Sequence, residues 1–186
     1  MAQITKIQPL TNPKFITPLR LFYTQSGKEK TWEAIKAHDS VAVLLYHKEK
    51  DSFLLVKQLR IATLLRDENS QGYTHELCAG IVDKQKSLAV IAQEEVFEEC
   101  GYKVEAKNLK RLTSYYTSVG FSGAKQTLFF ATINENMQVG SGGGIDDEEI
   151  ELFYLPRQEA KAFIFDENYK KTPGLMMALY WFFEQS

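Results

Sequence analysis

Cysteine is scarce: only Cys78 and Cys100 occur in the 186 residues. Two cysteines so placed have neither the count nor the spacing of a disulfide framework or a zinc site, so both read as reduced core thiols. An excess of charge of one sign is also missing. The 22 Lys and Arg are interspersed with 24 Asp and Glu, which offers no basic face to nucleic acid and no polybasic helix to an anionic membrane. No stretch approaches the roughly 20 apolar residues of a membrane-spanning helix, and the opening Met1–Lys6 has no apolar run behind a basic region. These absences lead to the expectation of a cytoplasmic protein whose partner is a small molecule.

What is present suits an ordinary globular chain. A hydrophobic fraction of 44% supports a sizeable core in one domain, or one domain with a small appendage. Alternating patches such as Leu19–Tyr23, a Ser26–Gly27 turn and Lys30–Ile35 predict a small N-terminal sheet. Ser40–Tyr46 and Phe53–Val56 read as a hairpin around the charged turn His47–Asp51, and Thr63–Gly72, polar and aperiodic, as a loop. Ser87–Cys100 has helical spacing and is followed by Gly101, a good residue just past a helix end. Lys110–Thr117, Gln126–Ile133 and Ile150–Tyr154 read as strands, with Gly140–Gly144 as a mobile loop before the last. Helix signals follow at Pro156 and at Thr172–Pro173. No internal repeat is visible. Strands on both sides of an internal helix predict a mixed α/β sandwich.

The internal helix carries the chemistry. At 100° per residue Leu88, Ile91 and Ala92 form an apolar stripe. Glu95 and Glu99 continue the same line, with Glu98 beside them. Carboxylates one turn apart on a buried face repel and are costly to desolvate unless a cation lies between them. Oxygen ligands suit magnesium, which takes few carboxylates together with water and substrate phosphates. Charge patterning alone leaves a second reading open, a solvated acidic patch at Glu94, Glu95, Glu98 and Glu99.

The surrounding residues decide between the two. Glu76-Leu77-Cys78-Ala79-Gly80 followed by Glu95-Val96-Phe97-Glu98-Glu99-Cys100-Gly101-Tyr102 resembles the Nudix box, with Gly80 and Gly101 in matching register. The resemblance implies an α+β protein: an α/β/α sandwich with a mixed sheet over residues 38–186, preceded by an N-terminal β region, residues 1–37, that dimerises. It implies that Glu95, Glu98, Glu99 and the Ala79 carbonyl hold Mg2+, or Mn2+, against a pyrophosphate. Two positions depart from the pattern: Lys86 stands where the family has glutamate, and Glu94 where it has arginine. Both signs are reversed, so the two are expected to form a swapped salt bridge that still braces the loop.

The similarity extends through Trp32-Glu33, His38–Leu45, Val56-Lys57-Gln58-Leu59-Arg60 and Ser118–Gly123. Together these look like the ADP-ribose and UDP-sugar pyrophosphatase group, and within it the UDP-sugar (UDP-glucose) branch. The implied reaction is Mg-dependent hydrolysis of a nucleoside diphosphate sugar (UDP-glucose, an ADP-sugar or ADP-ribose) to nucleoside monophosphate and sugar 1-phosphate by a homodimer.

The individual residues fit that reading. Arg60 offers planar donors to phosphate oxygens; the alternative is a surface arginine. Trp32 is suited to stacking on a base, with Glu33 accepting hydrogen bonds; the alternative for Trp32 is plain core packing. Gln58 and Glu76 are candidates for a polar wall and a supporting acid. For the base that activates water, register in the family favours Glu148, with Asp146 as the alternative, on an acidic segment after the Gly142–Gly144 lid; an ordinary solvated acidic turn stays open for both. Glu98 is a second catalytic candidate. The competing function is a Nudix-type module that binds a nucleotide sugar without turning it over.

Overall fold

The computed structural model describes residues 2–13, 16–66, 71–145 and 148–185. Nine strands and four helices follow in the order β1 (Thr17–Gln25), β2 (Lys28–Lys36), β3 (Ser40–His47), β4 (Ser52–Leu59), α1 (Ile61–Arg66), β5 (Tyr73–Glu76), β6 (Cys78–Ile81), α2 (Leu88–Cys100), β7 (Lys110–Tyr116), β8 (Lys125–Ile133), β9 (Ile150–Pro156), α3 (Ala160–Phe165) and α4 (Pro173–Glu184) among the described residues. β1 and β2 form a separate antiparallel hairpin, with Leu21 opposite Trp32. The other seven strands make one mixed sheet, in which β3 and β8 run parallel.

The position of the site follows from how β3 and β4 diverge. Near their shared turn they pair directly, Leu45 with Leu54. Further on, β5 pairs with β4 and β6 pairs with the other end of β3. The chain therefore steps across the widening gap at Leu77. Strand alternation divides the core into two layers. Val41, Val43, Leu54 and Val56 pack with Ile91, Ala92 and Val96 of α2, whereas Ala42, Leu44, Phe53 and Leu55 pack with Phe163 of α3 and Leu175 and Leu179 of α4. This is the expected sandwich, with the expected N-terminal sheet beside it. A fully buried leucine contributes about 1.5–3 kcal/mol, and both layers are built mostly of such residues.

α2 begins and ends where its sequence signals lie. Ser87, in extended conformation, accepts a hydrogen bond from the Val90 amide at 3.3 Å, and Gly101 adopts φ 75° with its amide on the Phe97 carbonyl. Two expectations fail. The loop expected over Thr63–Gly72 is helical through Arg66, because Thr63 and Leu64 donate their amides back to the Arg60 carbonyl; residues 67–70 lie outside the described residues. Nor is Gly140–Gly144 loose. Gly143 and Gly144 donate to the Glu99 and Glu98 carbonyls at 2.9 and 3.1 Å, closing the C-terminus of α2. Gly142, Gly143 and Gly144 all have positive φ, and a Cβ on Gly142 would lie 2.3 Å from the Glu99 carbonyl oxygen. The glycine run serves this close wrap rather than mobility.

Candidate active site

Four elements bring the candidate residues together: the end of β4, the β5–β6 crossing, the inner face of α2 and the segment leading into β9. Glu99 is almost completely buried, 4% exposed, and accepts a hydrogen bond from the Ala79 amide at 2.9 Å. Burial raises its pKa to about 8 against that hydrogen bond, and the charges of Glu95 and Glu148 add to the rise. Glu95, one turn earlier, lies directly over Gly80: a Cβ at position 80 would meet the Glu95 carboxyl carbon at 2.0 Å. Only glycine leaves room for it. Burial and the neighbouring Glu98 charge lift Glu95 to about 7, and Glu148 contributes. Acids raised by burial and mutual repulsion make a place where a cation would be strongly stabilised.

Glu95 and Glu99, with Glu98 and the Ala79 carbonyl expected from the sequence, could supply oxygen ligands to such an ion. Among the described residues no three carboxylate, imidazole or thiol groups already close into a cage. Few protein ligands with water and phosphate completing the shell is the coordination magnesium favours. Cys78 and Cys100 are buried free thiols, as the sequence suggested. Burial, with Cys100 and Glu99 close by, pushes the Cys78 thiol far up, so it is neutral packing beside Glu99.

Arg60 is held before any ligand arrives. Its Nε and Nη2 donate to the two Glu76 oxygens at 2.7 and 2.8 Å, and the Thr74 hydroxyl donates to Glu76 at 2.6 Å. Burial alone would raise Glu76, but Arg60 and Thr74 hold its carboxyl below the ordinary range. Two of the five guanidinium donors are thus engaged and the rest remain for phosphate. The fields of Glu99 and Glu148 also reach Arg60. Gln58, two residues earlier on β4, shares this face of the sheet and is partly buried. Glu148 is exposed, and its Oε2 accepts from the Ile145 amide at 3.1 Å. Asp146 lies outside the described residues.

The Lys86–Glu94 pair forms, with Lys84 3.5 Å from the second Glu94 oxygen. The loop before α2 is therefore braced with reversed signs. Trp32 is not a core residue: it is 54% exposed, and its indole N–H donates to the Gly120 carbonyl at 2.9 Å. The Glu33 carboxylate, exposed, pairs with Arg20 at 2.8 Å. Trp32 and Glu33 line a shallow concavity of about 500 Å3 with Phe22 and Thr31. Thr74 was missed by sequence reasoning; its only signal is that it stands two residues before Glu76 on the same strand face.

The NUDIX domain family matches residues 36–174. The chain belongs to that family. The uridine diphosphate glucose pyrophosphatase NUDT14 of Bos taurus is 35% identical over 91% of this Nudix chain and 88% of its own length. The Mus musculus protein of the same name is 34% identical over 92% and 89%. A GDP-mannose pyrophosphatase of Cronobacter sakazakii is 38% identical over 66% of this chain and 62% of its own. No helix among the described residues is long and apolar enough to cross a membrane.

Proposed function

We propose that this Nudix protein hydrolyses the pyrophosphate bond of a nucleoside diphosphate sugar, releasing a nucleoside monophosphate and a sugar 1-phosphate. The observation that carries the reading is the pair of acids on the inner face of α2, Glu99 buried and Glu95 half-buried, set beside Gly80 and Ala79 and within the electrostatic reach of Arg60 and Glu148. Relatives named as UDP-glucose and GDP-mannose pyrophosphatases support the substrate class. Glu95, Glu98, Glu99 and the Ala79 carbonyl would hold Mg2+ or Mn2+, which supplies charge neutralisation at the diphosphate and lowers the pKa of a bound water.

The chain's own residues do the rest. Arg60, fixed by Glu76, donates to the non-bridging oxygens and sets the diphosphate in register with α2. Glu148 takes the proton as water adds to one phosphorus, and the bridging oxygen leaves with the other phosphate. Trp32 offers its exposed face to the nucleobase. The hairpin, residues 1–37 in the expected division, presents Leu19, Leu21, Tyr23 and Trp32 on one face, each 40–54% exposed. Such a face supports the homodimer reading, with residues 38–186 as the hydrolase domain.

The test is release of nucleoside monophosphate from UDP-glucose, ADP-glucose, GDP-mannose and ADP-ribose, with Mg2+ or Mn2+, beside a Glu99→Gln control. Turnover that disappears in the control is expected. Retained nucleotide-sugar binding without turnover by the wild type would overturn the enzymatic reading in favour of a binding protein.

A further inference from the structure

On the α4 side of the sheet, between the end of β7 and the start of α4, lies a cavity of about 290 Å3. Glu76 and Ala79 form its inner wall, the same segment that orients Arg60 and Glu99 on the other side. Tyr116 and Thr117, both exposed, line its rim with Ser118, and Gln126, partly buried, lines it as well. The Gln126 amide is fixed: its oxygen accepts from the Tyr115 hydroxyl and its nitrogen donates to Ser40 Oγ at 3.1 Å. One lone pair and one N–H of that amide remain. The rim hydroxyls of Tyr116, Thr117 and Ser118 add donors and acceptors of their own. Among the described residues no Lys or Arg lines the cavity, and Glu76 adds a carboxylate to it, so its chemistry is that of a neutral polyhydroxyl ligand rather than a phosphate. The volume is at the low end for a ligand site and suits one ring rather than a whole nucleoside.

The rim is also rigid. Phe121 and Ser122 donate their amides to the Ser118 carbonyl at 3.0 and 2.7 Å, and Gly120 and Phe121 of the same turn accept from Trp32 and Ile35 of β2. A single turn thus joins the hydroxyl-lined cavity to the exposed indole.

We propose that this cavity is the subsite for the glycosyl group, with Gln126 and the Thr117 and Ser118 hydroxyls reading the ring hydroxyls of a hexose. The proposal rests on the pyrophosphatase reading above. Its test is Thr117→Trp, which places bulk in the cavity from an exposed rim position, assayed on UDP-glucose, ADP-glucose and the P-methyl ester of UDP, which lacks the sugar. The expected result is a KM raised about tenfold or more for both nucleotide sugars, about 1.4 kcal/mol, with methyl-ester turnover kept within about twofold. Equal losses on all three, no loss on any, or a loss that follows the base would overturn it. If wild type hydrolyses none of the three, the pyrophosphatase reading fails separately. Titration of glucose 1-phosphate then decides: weakening by Thr117→Trp supports the subsite and unchanged binding overturns it.

Discussion

Replacing Glu99 by glutamine should stabilise the metal-free protein in alkaline solution and not in acid. In the fold the Glu99 carboxyl titrates at about 8, against 4.5 as its ordinary value. A pKa raised by folding means that the folded chain holds the proton more tightly, so this carboxyl contributes most below pH 4.5, and that contribution is lost as pH rises through about 8. At about 1.4 kcal/mol per unit the difference reaches an upper bound of ~5 kcal/mol above pH 8. Glutamine carries no charge to desolvate, and its oxygen can keep the Ala79 hydrogen bond. Its NH2 group cannot accept the hydrogen bond that the Cys78 thiol gives the carboxylate, which costs ~1–3 kcal/mol. The net gain at pH 9 should therefore be ~2 kcal/mol, or roughly 4–8 °C in Tm for a chain of this size. Near pH 5 the wild type is protonated and the variant should be equal or less stable. Thermal and urea unfolding in EDTA, repeated from pH 5 to 9, reads this directly. Parallel pH profiles for the two proteins would refute the argument that burial destabilises the charged form of Glu99. The same variant should lose turnover, so stability and activity would move in opposite directions.

Gly80→Ala should fold normally, because the obstructed atom is the end of the Glu95 side chain, yet lose activity on the order of 10²-fold through a displacement of about 1 Å; equal Tm with unchanged kcat would count against the placement of Glu95. Lys86→Glu and Glu94→Lys should each weaken activity and the double exchange restore it, as the ion pair predicts; a double variant no better than the singles removes the bracing role. Gly142→Ala should destabilise by at least ~1–2 kcal/mol, because its φ is positive and its new Cβ meets backbone, which urea unfolding measures. Leu21→Lys with Trp32→Lys should shift sedentation-based mass to the monomer if the hairpin face is covered by a second copy; an unchanged mass rejects that interface.

The α2 helix and its acids were legible from the sequence because everything they need is local. Ser87 and Gly101 mark the ends, the spacing of Leu88, Ile91 and Ala92 gives the buried face, and Glu95 and Glu99 follow from the same period. The Lys86–Glu94 exchange was readable only against the Nudix pattern, which sets a residue just before α2 opposite one on its second turn. Short strands such as β5 and β6 were not, because four residues carry too little periodicity.

What only the tertiary structure decided involves partners distant in sequence. Whether Gly80 lies under Glu95, whether Arg60 finds Glu76, and whether Gly143 and Gly144 close the end of α2 depend on how β3 and β4 separate and the chain crosses between them. The glycine run read as a lid because composition reports freedom of the unfolded chain and not the bonds that remove it. Likewise the sequence left Trp32 open between stacking on a base and core packing, and only the hairpin, which places it at the surface on Gly120, removed the second. The cavity beside α4 is assembled from residues between positions 42 and 174, and no local pattern could announce it. Periodicity and capping fix an element and its charged face; the distances between elements, on which binding and catalysis depend, arise only when the two core layers pack.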